Sequence, residues 1–215
     1  NALSKNLEVW IKREGHEYNL SFQNGDKSSE LEIVGNVGKA NTGTTIRFWA
    51  NGKYFDSDRI KVKDLKHNLR AKSVLCPGLH IKFSDEETGE EVSWQYQGGV
   101  NEYLSAELKG IDCIPSKPFY GSSRAKNEEV EWSLTWPEED SNGIQESYVN
   151  LIPTRQGGTH VSGFRSGLSE AIKDFAEYRN LLPRGIKLSP EDVWFGISFI
   201  LSVRLEEPQF AGQTK

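Results

Sequence analysis

Two glycines stand next to a histidine in Thr154-Arg155-Gln156-Gly157-Gly158-Thr159-His160, where a strand-like run gives way to helical periodicity. Backbone N–H groups at such a helix start suit an anion, with Thr159 as the N-cap. The plainer chemistry is a tight strand-to-helix connection that needs positive φ. No GxxxxGK[ST] or GxGxxG spacing accompanies the glycines. The histidines, at 16, 67, 80 and 160, show no metal-ligand spacing, and no GxSxG nucleophile context is present. His160 therefore reads as a structural hydrogen-bonding residue. A second constellation is Gly212-Gln213-Thr214-Lys215. A lysine at a loop end acts as a point charge on a phosphate, and a glutamine orients water or a phosphoryl oxygen. Taken alone, the same residues read as a frayed tail.

Two further stretches carry weaker signals. Arg59, Lys63, Lys66 and Arg70 recur at helical spacing and form a stripe suited to phosphates. Asp56, Asp58 and Asp64 lie close by, so a solvated helix face is the simpler reading. In Asn41-Thr42-Gly43-Thr44-Thr45-Ile46-Arg47-Phe48-Trp49, small hydroxyl side chains let a ligand come close to the entry of a strand.

The elements that must position these residues are legible from periodicity. Leu7, Val9 and Ile11, then Tyr18, Leu20 and Phe22, alternate with polar or mixed positions, and the sequence predicts a β-hairpin over 7–23. Residues 44–49 read as a strand. The period then changes, and Val62, Leu65 and Leu69 fall on one helical stripe ending before Pro77-Gly78. A second hairpin closes around Thr88-Gly89, and a short helix is expected over about 99–108. Two prolines in 110–119 mark a composition break, which places a domain boundary near 110–116. Beyond it come two strands joined by a polar turn, then a long helix with Val161, Phe164, Leu168, Ile172, Phe175 and Leu182 on one face. Ser189-Pro190 starts a short helix that leads into a strand over 197–205.

The 215 residues suffice for one large domain or two smaller ones, and their composition is that of a globular protein. A formal net charge of −5 excludes a chain coated in positive charge for nucleic acid, so any DNA contact must come from a local patch. The longest strongly apolar run, Trp194 to Val203, falls well short of the roughly 20 residues of a membrane span, and no leader is visible. Cys76 and Cys113 fit structural thiols in a reducing cytoplasm. The absence of methionine suggests a piece of a longer protein.

Together, "NALSKNLEVWIKREG", "TGTTIRFW", "YVNLIPTRQGGTHVSGFRSGL", "YRNLLPRGIKLSPEDVW" and "PQFAGQTK" resemble, in this order, the B subunits of bacterial type IIA topoisomerases. "NLIPTRQGGTH", "LLPRGIKLSPEDVW" and "FAGQTK" are more similar to the topoisomerase IV form than to the gyrase form. The resemblance implies an α+β chain. The C-terminal part of a GHKL α/β sandwich would span 1–111, followed by a transducer domain over 112–215 resembling ribosomal S5 domain 2.

It also implies site residues. Thr44 would read adenine through a bound water, Ile46 would line the apolar floor of that pocket, and Arg13 would stand at its mouth. Gln213 and Lys215 would belong to the transducer loop that enters the nucleotide site, with Lys215 sensing the γ-phosphate. The implied cofactors are ATP and Mg2+. The implied partners are double-stranded DNA, the A subunit of topoisomerase IV and a second B subunit that pairs on ATP binding. The implied location is the bacterial cytoplasm at the nucleoid, with no membrane. In the family the catalytic glutamate, the magnesium-binding asparagine and the glycine-rich lid precede the position matching Asn1. The 215 residues by themselves are therefore expected not to hydrolyse ATP, and no metal ligand is assigned among them. The gyrase B subunit is the nearest alternative. A different one is a non-catalytic interaction module that uses the basic stripe at 59–70.

Overall fold

The computed structural model describes residues 1–57, 59–138, 143–183 and 185–210. It divides into two compact units, 1–62 and 63–215.

The first unit is an antiparallel sheet. Strands β1 (Ser4–Arg13) and β2 (His16–Gln23) form the expected hairpin. Glu14 and Gly15 between them both take positive φ, 55° and 88°, as a two-residue turn matched to strand twist requires. The short strands β3 (Asp26–Lys27) and β4 (Glu32–Asn36) pair with β2, and β5 (Gly43–Ala50) pairs with the other edge of β1. β3 and β4 carry too little alternation to stand out in the sequence.

The second unit begins with helix α1 (Val62–Leu75), hairpin β6 (Ile81–Asp85) and β7 (Glu90–Trp94), and helix α2 (Gly99–Glu107). β8 (Cys113–Arg124) and β9 (Glu128–Pro137) follow, then β10 (Gln145–Val149) and β11 (Ile152–Pro153). Helices α3 (Thr159–Tyr178) and α4 (Pro190–Trp194) lead into β12 (Ser198–Leu205). The sheet order is β11-β10-β12-β9-β8, with β10 and β12 parallel. A parallel pair needs a long crossover, and α3 and α4 lie within it.

β12 explains the apolar run near the end of the sequence. It is the central strand, and both of its faces are covered. Ile200, with Tyr148 of β10, packs under Val74 and Leu75 of α1 and Val100 and Leu104 of α2. Phe199, Leu201 and Val203, with Val149, pack under Val161, Phe164 and Leu168 of α3 and Trp194 of α4. A strand buried on both sides loses the apolar–polar alternation of a half-exposed one.

Several expectations about individual elements change here. The composition break at 110–116 falls within the second compact unit, which begins at Lys63. The segment before the break carries α1 and α2, whose apolar faces are buried on Tyr148 and Ile200. The proline-rich break itself is the start of β8, an edge strand whose pairing register with β9 shifts between Ile114 and Phe119. Proline is tolerated at a sheet edge because no inner ladder needs its missing N–H. The strand expected through 146–153 turns at Asn150 and Leu151 (φ 48° and 66°) and returns as β11. β9 and β10 are consecutive in sequence, yet β12 lies between them; residues 139–142 of the connecting turn are outside the described residues.

In α1 the buried positions are Ala71, Ser73, Val74 and Leu75 at its C-terminal end, while Val62 is exposed. α3 ends at Tyr178, short of Leu182, and Phe175 points to solvent; Ala176 takes the buried position. Ser189 caps α4 as expected. Its hydroxyl accepts from the Asp192 N–H (3.2 Å), and the Asp192 carboxylate accepts from the Ser189 N–H (2.9 Å). The two cysteines are free and half-buried. Among the described residues no helix is long and apolar enough to cross a membrane.

Candidate functional site

Register brings three of the expected site residues onto one face of the first sheet. In the β1–β5 pair, Val9 lies opposite Ile46 and Ile11 opposite Thr44. Directly opposed residues share a face, and so do residues two apart along a strand. Val9, Ile11 and Arg13 therefore look the same way as Thr44, Ile46 and Phe48. Ile46 is 59% exposed although it lies mid-strand, and a Cβ built on Gly43 would meet nothing within 4 Å. The face thus presents an apolar floor, a hydroxyl and open space at the strand entry. Arg13 ends β1 with its guanidinium in solvent, 3.1 Å from the Glu14 carboxylate. An apolar surface with a hydroxyl and a peripheral cation is chemically suited to a nucleobase bearing phosphates.

The loop Thr154–His160 follows the plainer of its two readings. Gly157 and Gly158 take φ of 71° and 153°, which glycine alone adopts without strain. A Cβ on Gly158 would come within 3.0 Å of the His160 ring. Gly158 is the N-cap of α3 and no side chain caps it, so Thr159 lies inside the helix rather than before it. His160 ties the helix start to the sheet, with Nε2 3.0 Å from the Thr154 hydroxyl. That hydroxyl also donates to the Ser147 carbonyl at 2.9 Å. Burial holds the His160 imidazole below its ordinary pKa, so it is neutral at pH 7.

The basic stripe is not an open phosphate patch. α1 starts at Val62, which leaves Arg59 outside the helix. Lys66 pairs with Glu90 at 2.5 Å, and Arg70 pairs with Glu107 and donates to the Tyr96 hydroxyl at 2.9 Å.

Sequence reasoning did not anticipate the polar network to which Arg70 belongs. Its guanidinium lies 4.8 Å over the Tyr103 ring. The Tyr148 hydroxyl donates to Glu146 at 2.6 Å, and Tyr103 reaches the same carboxylate at 3.4 Å. Burial, first, and the charge of Glu146 push both phenols far up, so they remain protonated donors. These residues come from α1, α2 and β10 with no common spacing, which left no motif to find. Gln213 and Lys215 lie outside the described residues. Among the described residues no group of three or more His, Cys, Asp or Glu side chains is placed to hold a metal ion.

The profile of the DNA gyrase B family matches residues 99–215. The chain belongs to the DNA gyrase B family. It is 53% identical over its whole length to the B subunit of DNA topoisomerase 4 from Pseudomonas aeruginosa and spans 34% of that relative. Among solved structures, it is 42% identical to the topoisomerase IV ATP-binding domain of Francisella tularensis in complex with a small-molecule inhibitor. That match has a TM-score of 0.80 and covers 100% of this chain and 58% of the other. The 43K ATPase domain of Thermus thermophilus gyrase B, in complex with an aminocoumarin, matches at 31% identity and a TM-score of 0.79, covering 98% and 58%. The mixed α/β fold of this family is therefore that of type II topoisomerase ATPase regions. The chain spans about a third of the length of the curated relatives it matches.

Proposed function

We propose that the chain is part of the ATP-operated clamp of a type II DNA topoisomerase, within the B subunit of topoisomerase IV. Identity supports this over gyrase: 53% along the full chain to a topoisomerase 4 relative and 42% to a topoisomerase IV structure, against 31% to a gyrase structure. Residues 1–111 form the end of the GHKL nucleotide-binding domain and 112–215 the transducer. The observation that carries the reading is the shared face of Arg13, Thr44 and Ile46, set by the β1–β5 register. Ile46 supplies the apolar floor under adenine, Thr44 holds the water that reads it, and Arg13 stands at the mouth. ATP, when bound, supplies the γ-phosphate charge. Lys215 contacts that charge, and Gln213 belongs to the same loop.

The partners are a captured DNA duplex, the A subunit of topoisomerase IV and a second copy of the B subunit. The intact protein acts in the cytoplasm at the nucleoid. Mg2+ accompanies ATP in the family, but no ligand set for it gathers among the described residues and no step here passes through it. Lys215 works as a switch because it favours the triphosphate state over the diphosphate state, the differential contact any two-state element requires. The ion pairs of Lys66 and Arg70 argue against a module that uses that face for DNA. In the full-length protein, Lys215→Ala is expected to remove nearly all ATP hydrolysis while the fold persists. A folded variant hydrolysing ATP at near the parent rate would refute the switch.

A further inference from the structure

Among the described residues β8 is an outer strand of the second sheet, and its two halves differ. The first half carries Pro115, Pro118 and the register shift between Ile114 and Phe119, features that block pairing with a further strand. The second half, 119–124, is free of both and runs in unbroken register with β9. At the end of this hairpin the Ala125 N–H donates to the Glu128 carbonyl at 2.8 Å. Antiparallel pairs alternate between bonded and non-bonded positions. Gly121 and Ser123 therefore spend their backbone groups on β9, while Tyr120, Ser122 and Arg124 turn theirs outward. Their N–H and C=O groups line an open edge. The rings of Phe119 and Tyr120 flank it from opposite faces, 54% and 50% exposed. The charged side chains of β8 and its turn, Lys117, Arg124 and Lys126, are all cations in a chain of net charge −5. None of them has a hydrogen bond or ion pair among the described residues. Of the acids at this end of β9, Glu129 is engaged by Arg204 at 3.2 Å and Glu131 accepts from the Tyr120 hydroxyl at 3.3 Å, which leaves Glu128.

We propose that residues 119–124 of β8 dock an extended acidic segment of a partner protein, which joins the sheet as a further strand. The open edge presents donors and acceptors in alternation. A peptide strand satisfies both, whereas a row of phosphates only accepts and leaves the carbonyls facing negative charge. Pairing of two copies of this chain through their β8 edges would set cations against cations, which is destabilising. An acidic strand instead meets Arg124 and Lys126 at one end of the edge and Lys117 at the other, and its apolar side chains pack on Phe119 and Tyr120.

The test titrates the full-length protein with a fluorescently labelled octapeptide of alternating glutamate and valine. Saturable binding that weakens with added salt is expected, with the amides over 119–124 protected from hydrogen exchange. Ser122→Pro removes an outward N–H without touching the β8–β9 ladder, so it should weaken binding about tenfold in a folded protein. Methylating alternate backbone amides of the peptide should do the same from the other side, and carries the result if Ser122→Pro does not fold. Arg124→Ala with Lys126→Ala should weaken binding about threefold and flatten the salt dependence. No saturation at millimolar peptide, or equal binding of the lysine counterpart of the peptide, overturns the proposal. So does a folded Ser122→Pro variant, a double alanine variant or a methylated peptide that binds as the parent does. Protection of 119–124 by a short DNA duplex and not by the peptide would assign the patch to nucleic acid, which also overturns it.

Discussion

Asn150 concentrates two separate physical demands, and replacing it distinguishes them. Its backbone sits in the left-handed region at φ 48°, where asparagine is tolerated and alanine costs about 1–2 kcal/mol. Its side chain makes two 2.8 Å bonds to Leu205 at the end of the central strand. Each such bond contributes about 1 kcal/mol net, and more when its loss leaves a backbone group unpaired in a part-buried site. Asn150→Ala should therefore destabilise the chain by about 4 kcal/mol. Asn150→Gly keeps the backbone freedom and loses only the bonds, so it should cost about 2–3 kcal/mol. The assay is urea unfolding followed by far-UV circular dichroism, comparing midpoints at constant slope. Equal losses for alanine and glycine would refute the backbone argument. A loss below about 1 kcal/mol in both would show that the grip on Leu205 contributes little.

Two further outcomes are expected. His160 has a folded pKa depressed by burial, so its contribution to stability is complete above the ordinary value of 6.5 and is lost as pH falls through the folded pKa. His160→Gln should flatten the stability profile below pH 6.5, and an unchanged acid limb in thermal melts would contradict this. At Gly121 a Cβ would lie 2.4 Å from the Trp132 ring, so Gly121→Ala must displace that indole. A loss of about 1–3 kcal/mol is expected for such overpacking, read as a fall in melting temperature with a change in tryptophan fluorescence.

Much of this protein was legible without coordinates because its signals are local. The hairpin of β1 and β2 follows from alternation around Glu14-Gly15, and the start of α4 from Ser189 and Pro190 with Asp192. The order of motifs identified the family, since motif order is a property of the chain itself. The role of His160 as a structural residue was also readable, from the lack of any catalytic companion.

Other features depended on which distant segments meet. The start of β8 read as a composition break because its prolines are penalised in inner strands, and only its place at a sheet edge makes them harmless. The basic stripe looked available until Glu90 and Glu107 met it from β7 and α2. The far end of α3 was expected to be buried because its pattern continues there, yet Phe175 is exposed, since pattern alone does not say how far the facing sheet extends. Packing of α1 and α2 on Tyr148 and Ile200 gathers the residues on both sides of the break at 110–116 into one compact unit. The sequence by itself determined the family and most of the elements. Tertiary structure decided that Arg13, Thr44 and Ile46 share a face and that Tyr120, Ser122 and Arg124 turn their backbone groups to an open edge. Register and long-range packing join residues far apart in the chain, and no local spacing encodes such a meeting.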